Sequence, residues 1–188
     1  MHRNIALGVV LLVAVPFAAP RANADATFTA TLSGANEVTP TGSSATGSAT
    51  VVLTGNLLTV NETFSGLTTP ATADLIHCCA SLGVNGPAAV FLTSFPSTIS
   101  GTYNMAFDLT LTGTYNPSFL SANGGTAAGA ENALVAGLNA GQAYVNIHDS
   151  TFPGGEIRGQ FQLVTPEPGT VLLLGTGLVG AARRKWLS

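Results

Sequence analysis

Residues 48–64 read SATVVLTGNLLTVNETF. Two apolar, β-branched runs, Ser48–Thr54 and Leu57–Phe64, flank Gly55-Asn56. A two-residue Gly-Asn link between such runs signals a β-hairpin, because glycine adopts the backbone conformation that a tight reversal needs. The same period of two continues on both sides. Ala26–Leu32 sets Phe28 and Leu32 among small and hydroxyl residues, and threonine suits a strand with one wet face. Gly101–Thr112 places Tyr103, Met105, Phe107, Leu109 and Leu111 on one face. Further strands are predicted at Ala73–Cys79, Ala88–Thr93, Ala143–His148 and Glu156–Val164. Turn formers such as Asn85-Gly86-Pro87 and Phe152-Pro153-Gly154-Gly155 separate them. One stretch differs. Between Asn123 and Gln142 alanines accumulate, and Leu134 and Leu138 stand four apart, which predicts a helix over Gly129–Asn139. The reading is an all-β domain, an antiparallel β-sandwich or Greek-key barrel with one short helix.

The two ends of the chain are addresses. Arg3 precedes the apolar run IALGVVLLVAVPFAA, and Ala22-Asn23-Ala24 places small residues where a signal peptidase reads. Residues 1–24 are expected to be a signal peptide cut after Ala24. The alternative, a short membrane anchor, is opposed by Pro16, Pro20 and Arg21, which break the run before the ~20 residues of a spanning helix. At the other end, Pro166, Glu167 and Pro168 lead into an apolar stretch, followed by Arg183, Arg184 and Lys185. The basic cluster holds a terminus on the cytoplasmic side. The apolar stretch, Gly169 to Ala182, is shorter than the ~17 residues of a minimal span, which suits a temporary anchor. Residues 165–188 resemble the PEP-CTERM sorting signal. The resemblance implies recognition by an exosortase-type protease, passing attachment to the inner membrane, and delivery to the cell surface or beyond.

Without its ends the chain has a different charge. From Asp25 to Val164 the acids are Asp25, Glu37, Glu62, Asp74, Asp108, Glu131, Asp149 and Glu156, and the only base is Arg158. That net charge of minus seven contrasts with minus three for the whole chain. A body with one basic side chain cannot neutralise phosphates, so nucleic acid is excluded as a partner. Its length suits one domain, residues 25–164.

Chemistry concentrates in ADLIHCC (Ala73–Cys79) and YVNIHDSTFPGGEIRGQF (Tyr144–Phe161). His77 and His148 are the only histidines of the body. In an alternating strand Leu75, His77 and Cys79 share a face, as do Tyr144, Asn146 and His148. If the two strands meet, His77, Cys79 and His148 could converge as ligands for zinc or copper. The other reading is ordinary hydrogen-bonded histidines. Cys78 and Cys79 can pair with each other, bridge to another molecule, stay reduced or bind metal. Arg158 is expected to form a bidentate ion pair with Glu156, with Asp74 and Asp149 as further candidates across strands. An anion or carboxylate-ligand site is the alternative role for Arg158. No GxSxG or HExxH occurs, and the glycine-rich stretches lack a following Lys-Ser/Thr, so no catalytic role is expected.

Ala30–Val38 (ATLSGANEV), Tyr144–His148 (YVNIH) and Pro153–Gln160 (PGGEIRGQ) together resemble the CHRD domain over most of Ala26–Val164. At the family's first histidine position in the AHIH-like motif this chain has Leu75, followed by His77. The resemblance implies a β-domain with a structural or interaction role in secreted proteins. Exopolysaccharide or extracellular matrix is the expected setting, and a metal-binding or redox β-domain using His77, Cys78 or Cys79, and His148 is the alternative.

Overall fold

A computed structural model describes residues 25–165. The expected export signal with Ala22 and Ala24 lies outside the described residues, as do Pro166, Glu167, Pro168, Arg183, Arg184 and Lys185.

Nine strands form one antiparallel sheet. They are β1 (Ala26–Ser33), β2 (Thr46–Thr54), β3 (Leu57–Ser65), β4 (Ala71–His77), β5 (Ala88–Phe91), β6 (Gly101–Asp108), β7 (Tyr144–Asp149), β8 (Ile157–Gln160) and β9 (Gln162–Leu163). Their order is β5-β4-β7-β8-β1-β2-β3-β6, with β9 also on β1. β8 and β9 are thus one broken strand interrupted at Phe161, and the sheet curves into a half-barrel. The all-β antiparallel expectation holds, with the strands in a single curled sheet rather than two stacked ones.

The hairpin that opens the sequence is present. β2 and β3 pair in continuous register from Thr54↔Leu57 to Thr46↔Ser65. Gly55 turns the chain at φ 57°, a value that costs glycine nothing. Alternation then fills the concave side with Phe28, Leu32, Val51, Leu53, Leu58, Val60 and Phe64, all buried. Each such side chain stabilises the fold by roughly 1.5–3 kcal/mol relative to exposure.

Two α-helices follow β6. The expected helix is α2, Ala127–Asn139, started by Thr126, whose hydroxyl accepts from the Gly129 N–H. Ala130, Leu134 and Leu138 on its inner face are completely buried. The other, α1 (Pro117–Ala122), was not expected. Asn116-Pro117 reads as a strand terminator, but it also starts a helix. Asn116 Oδ1 accepts from the Ser118 N–H, and proline fits the first turn, where no amide donor is required. β6 stops at Asp108, where the carboxylate accepts from the Thr110 N–H and hydroxyl in a turn, and Leu111, expected on its apolar face, is left 57% exposed. No helix of the described residues is long and apolar enough to cross a membrane.

β4 starts and ends two residues earlier than expected. Past His77 the chain leaves the sheet and Cys78 is disulfide-bonded to Cys79. Both sulfurs lie against the Ala133 carbonyl of α2.

Candidate functional site

β4, β7 and β8 run side by side and set the site. The register pairs His77 with Tyr144, Leu75 with Asn146 and Ala73 with His148. On the other side Tyr144 meets Gln160 and Asn146 meets Arg158. Strand alternation puts these polar side chains on the face opposite Asp74 and Ile76.

There the rings form a row. The Arg158 guanidinium carbon lies 4.3 Å from the Tyr144 ring centroid. Tyr144 stacks on His77 at 4.7 Å and 2°. The His77 and His148 centroids are 6.1 Å apart. A cation held over an aromatic face is attracted by the ring quadrupole, the more so when desolvated, and Arg158 is 1% exposed.

The segment after the disulfide folds back over this row. The Gly86 carbonyl lies 2.9 Å from His77 Nδ1, so Nδ1 must carry the proton that it donates. The Gly86 N–H donates to the Tyr144 hydroxyl at 3.0 Å, and Arg158 Nη1 donates to Asn85 Oδ1 at 3.0 Å. Asn85-Gly86-Pro87, read from sequence as a chain breaker, is the cover of the site. Burial holds His77 below the usual histidine range, against the Gly86 hydrogen bond. Glu37 is pushed up to about 7 by burial, against the pull of Arg158. Burial also raises the Tyr144 phenol. Tyr144→Phe strips the Gly86 N–H of its acceptor. It is expected to cost about 1 kcal/mol and to speed hydrogen exchange at Gly86 while leaving that at Ile147 unchanged.

Two expectations are corrected here. Arg158 does not pair with Glu156. The Glu156 carboxylate accepts from the Thr68 N–H at 2.9 Å, the Thr68 hydroxyl at 2.8 Å and the Ser43 hydroxyl at 2.6 Å. These donors and the Asp149 carboxyl beside it occupy Glu156, and Arg158 lies against Tyr144 and Asn85 instead. The other candidates are also engaged elsewhere. Asp149 accepts from Thr69 and the Phe152 N–H, and Asp74 faces Glu62. The second correction concerns the metal set. His77 and His148 do approach, but Cys79 is in the disulfide under α2 and joins neither. Among the described residues no group of three or more His, Cys, Asp or Glu is arranged to hold a metal ion.

What sequence reasoning missed is where hydrogen bonding is unmet. Ten buried side-chain atoms among the described residues have no hydrogen-bond partner. Four are the carboxylate oxygens of Glu62 and Asp74 on the inner side. The other six belong to Glu37, His77, Asn146, His148, Arg158 and Gln160, all on or beside the face of β4, β7 and β8. Buried polar groups are rarely left unpaired, so such a concentration marks a place where water or a ligand completes the bonding.

The family model of the CHRD domain matches residues 28–161, which include every strand of the site. A PEP-CTERM protein-sorting motif matches residues 164–185 and implies export, a membrane-anchored surface destination and processing by an exosortase-type system. No curated protein and no solved structure matches the chain. With its family match spanning the half-barrel from β1 to the end of β8, the chain belongs to the CHRD domain family and carries a PEP-CTERM sorting motif.

Proposed function

We propose that this is a non-catalytic binding or structural protein of the cell surface or extracellular matrix, working in the setting of exopolysaccharide. Signal peptidase removes residues 1–24, and an exosortase-type protease cuts near Pro166-Glu167-Pro168. The inner-membrane stage is transient. The observation that carries the reading is the set of six unpartnered buried polar atoms gathered on one face under a loop. Unmet donors and acceptors in a covered cleft suit reversible polar contacts. The copper or zinc alternative loses its thiolate to the Cys78–Cys79 disulfide.

Fractionation of the native host tests the reading. Wild-type protein is expected in the surface or matrix fraction, shortened at both ends. Glu167→Ala with Pro168→Ala is expected to leave uncut protein in the inner membrane. Host cells that make no exopolysaccharide are expected to shed the wild-type protein into the medium. Retention on such cells, or normal processing of the double variant, counts against the proposal.

A further inference from the structure

A cleft of about 330 Å³ lies on one face of β1 and the paired β8–β9 strand, lined by Thr29, Thr31, Arg158, Gln160, Gln162 and Leu82 among others. It sits at the low end of the ~300–1,000 Å³ of small-molecule sites. Two of its residues define what it can take. Arg158 brings a donor without a partner, because Nη1 is used on Asn85 while Nη2 has none. Gln160 brings an acceptor without a partner. Its amide nitrogen donates to the carbonyls of Gly141, at 2.8 Å, and Ala80, at 3.4 Å, which fixes the side-chain orientation and leaves Oε1 unmatched. The two residues are two apart on β8, hence on one face and ~7 Å apart. Both atoms are buried, in residues that line the cleft together with Leu82, itself 75% exposed.

A ligand for this cleft must accept at one point and donate at a neighbouring one. An anion only accepts. It would meet Arg158 but set its lone pairs against Gln160 Oε1, and it would approach a body of net charge minus seven. A cation meets Oε1 but is repelled by Arg158. A hydroxyl both donates and accepts, so neighbouring hydroxyls serve both positions. The exposed hydroxyls of Thr29 and Thr31 and the amide of Gln162 extend the same chemistry outward. We propose that this cleft binds the hydroxyls of a neutral saccharide. This deepens the surface-binding role above and rests on it.

The test uses the full chain in a zwitterionic detergent, which has no sugar headgroup to compete. Cellohexaose and maltohexaose are the neutral probes, and hexagalacturonate is the anionic one. Calorimetry is combined with NMR of the Gln160 and Gln162 side-chain amides. A neutral hexaose is expected to bind saturably and shift both amides. The exposed variants Gln162→Ala and Thr31→Ala, which leave the core untouched, are each expected to weaken binding about fivefold, the loss of roughly one hydrogen bond. Hexagalacturonate is expected to leave both signals unmoved. Binding of hexagalacturonate alone would make this an anion site and overturn the proposal, as would the absence of binding by either neutral probe. Either failure, with the protein still held by polysaccharide in the host, overturns the ligand assignment and leaves the surface role standing.

Discussion

Replacing Gly137 with alanine is expected to destabilise the domain by about 2–3 kcal/mol, although the same exchange at an exposed helix position stabilises by about 1. Gly137 lies on the buried face of α2. A Cβ there would stand 2.3 Å from Cys78 Sγ and 2.8 Å from Cys79 Sγ. An ordinary long side chain could rotate away from such an approach. These sulfurs cannot, because each is bonded to the other and both cysteines are tethered by adjacent backbone. Either α2 lifts from the sheet, exposing Leu134 and Leu138, or the segment after β4 moves and carries Asn85 and Gly86 off Tyr144 and Arg158. Urea unfolding reads the cost, and the side-chain amide of Asn85 reports whether the site is disturbed. Gly113→Ala is the control, since a Cβ at that glycine meets nothing within 4 Å. An unchanged or raised stability of Gly137→Ala would mean that helix propensity outweighs the contact and that α2 does not rest on the disulfide.

This contact also shows how far the sequence could be read. The β2–β3 hairpin, α2 and the strand Tyr144–Asp149 follow from local signals: a turn dipeptide, a helical spacing and a period of two. The cysteine pair gives no such signal. Its four fates stay open in the sequence, and so does its closest neighbour, Gly137, nearly sixty residues further on and brought against both sulfurs only by the packing of α2. The same holds for Arg158. Spacing along β8 puts Glu156 near it, but a carboxylate takes the donors that tertiary structure delivers. Here those come from Ser43 before β2 and Thr68 before β4. β7 is instructive in another way. Alternation predicts one apolar and one polar face, yet Tyr144, Val145, Asn146 and Ile147 are all buried, because the 85–87 segment covers the polar face. A period of two reports which side a residue points to, and whether that side meets water depends on loops that the period does not describe.

Stability is expected to fall as pH rises from about 5 to 9, and Glu62→Gln combined with Asp74→Asn is expected to remove most of that fall. Glu62 of β3 and Asp74 of β4 are each 2% exposed. Their carboxyls face each other, and the Leu75 backbone is the only other polar group acting on Asp74 besides Glu62. The other ionisable group facing them is Tyr103 of β6, opposite Glu62 in register, whose hydroxyl donates to the Thr93 carbonyl. Burial and then the charges of Asp74 and Glu62 push that phenol up to about 12, so it stays neutral over this range. Arg158, the only basic side chain in residues 25–165, sits on the opposite face of the sheet. With no counter-charge, the pair is accommodated by keeping protons. Burial, opposed by the hydrogen bond to Asp74, raises Glu62 to about 7, while burial and the charge of Glu62 hold Asp74 well above the carboxylate range.

The folded chain therefore binds protons that the unfolded chain has released by about pH 5, and stability falls with pH over that window. The contribution is fully present below the unfolded value near 4. Glu62's share is lost as pH passes about 7, and Asp74 carries the loss higher. Glu62 alone, moved from 4.5 to about 7, accounts for about 3 kcal/mol. Two other groups shape the curve. Glu37 is displaced in the same direction but is less buried, so it leaves a shallower slope in the double variant. His77, depressed by burial, acts oppositely: its contribution is present above about 6.5 and is lost as pH falls through that region. The informative quantity is thus the difference in unfolding free energy between wild type and the double variant at pH 5, 7 and 9, from equilibrium urea unfolding. The neutral amides of the variant can keep a hydrogen bond across the same gap, so its advantage is expected to widen steadily with pH. Parallel curves would show that the two carboxyls ionise in the folded protein at the same pH as in the unfolded chain, and that the inner side of the half-barrel is far wetter than its packing indicates.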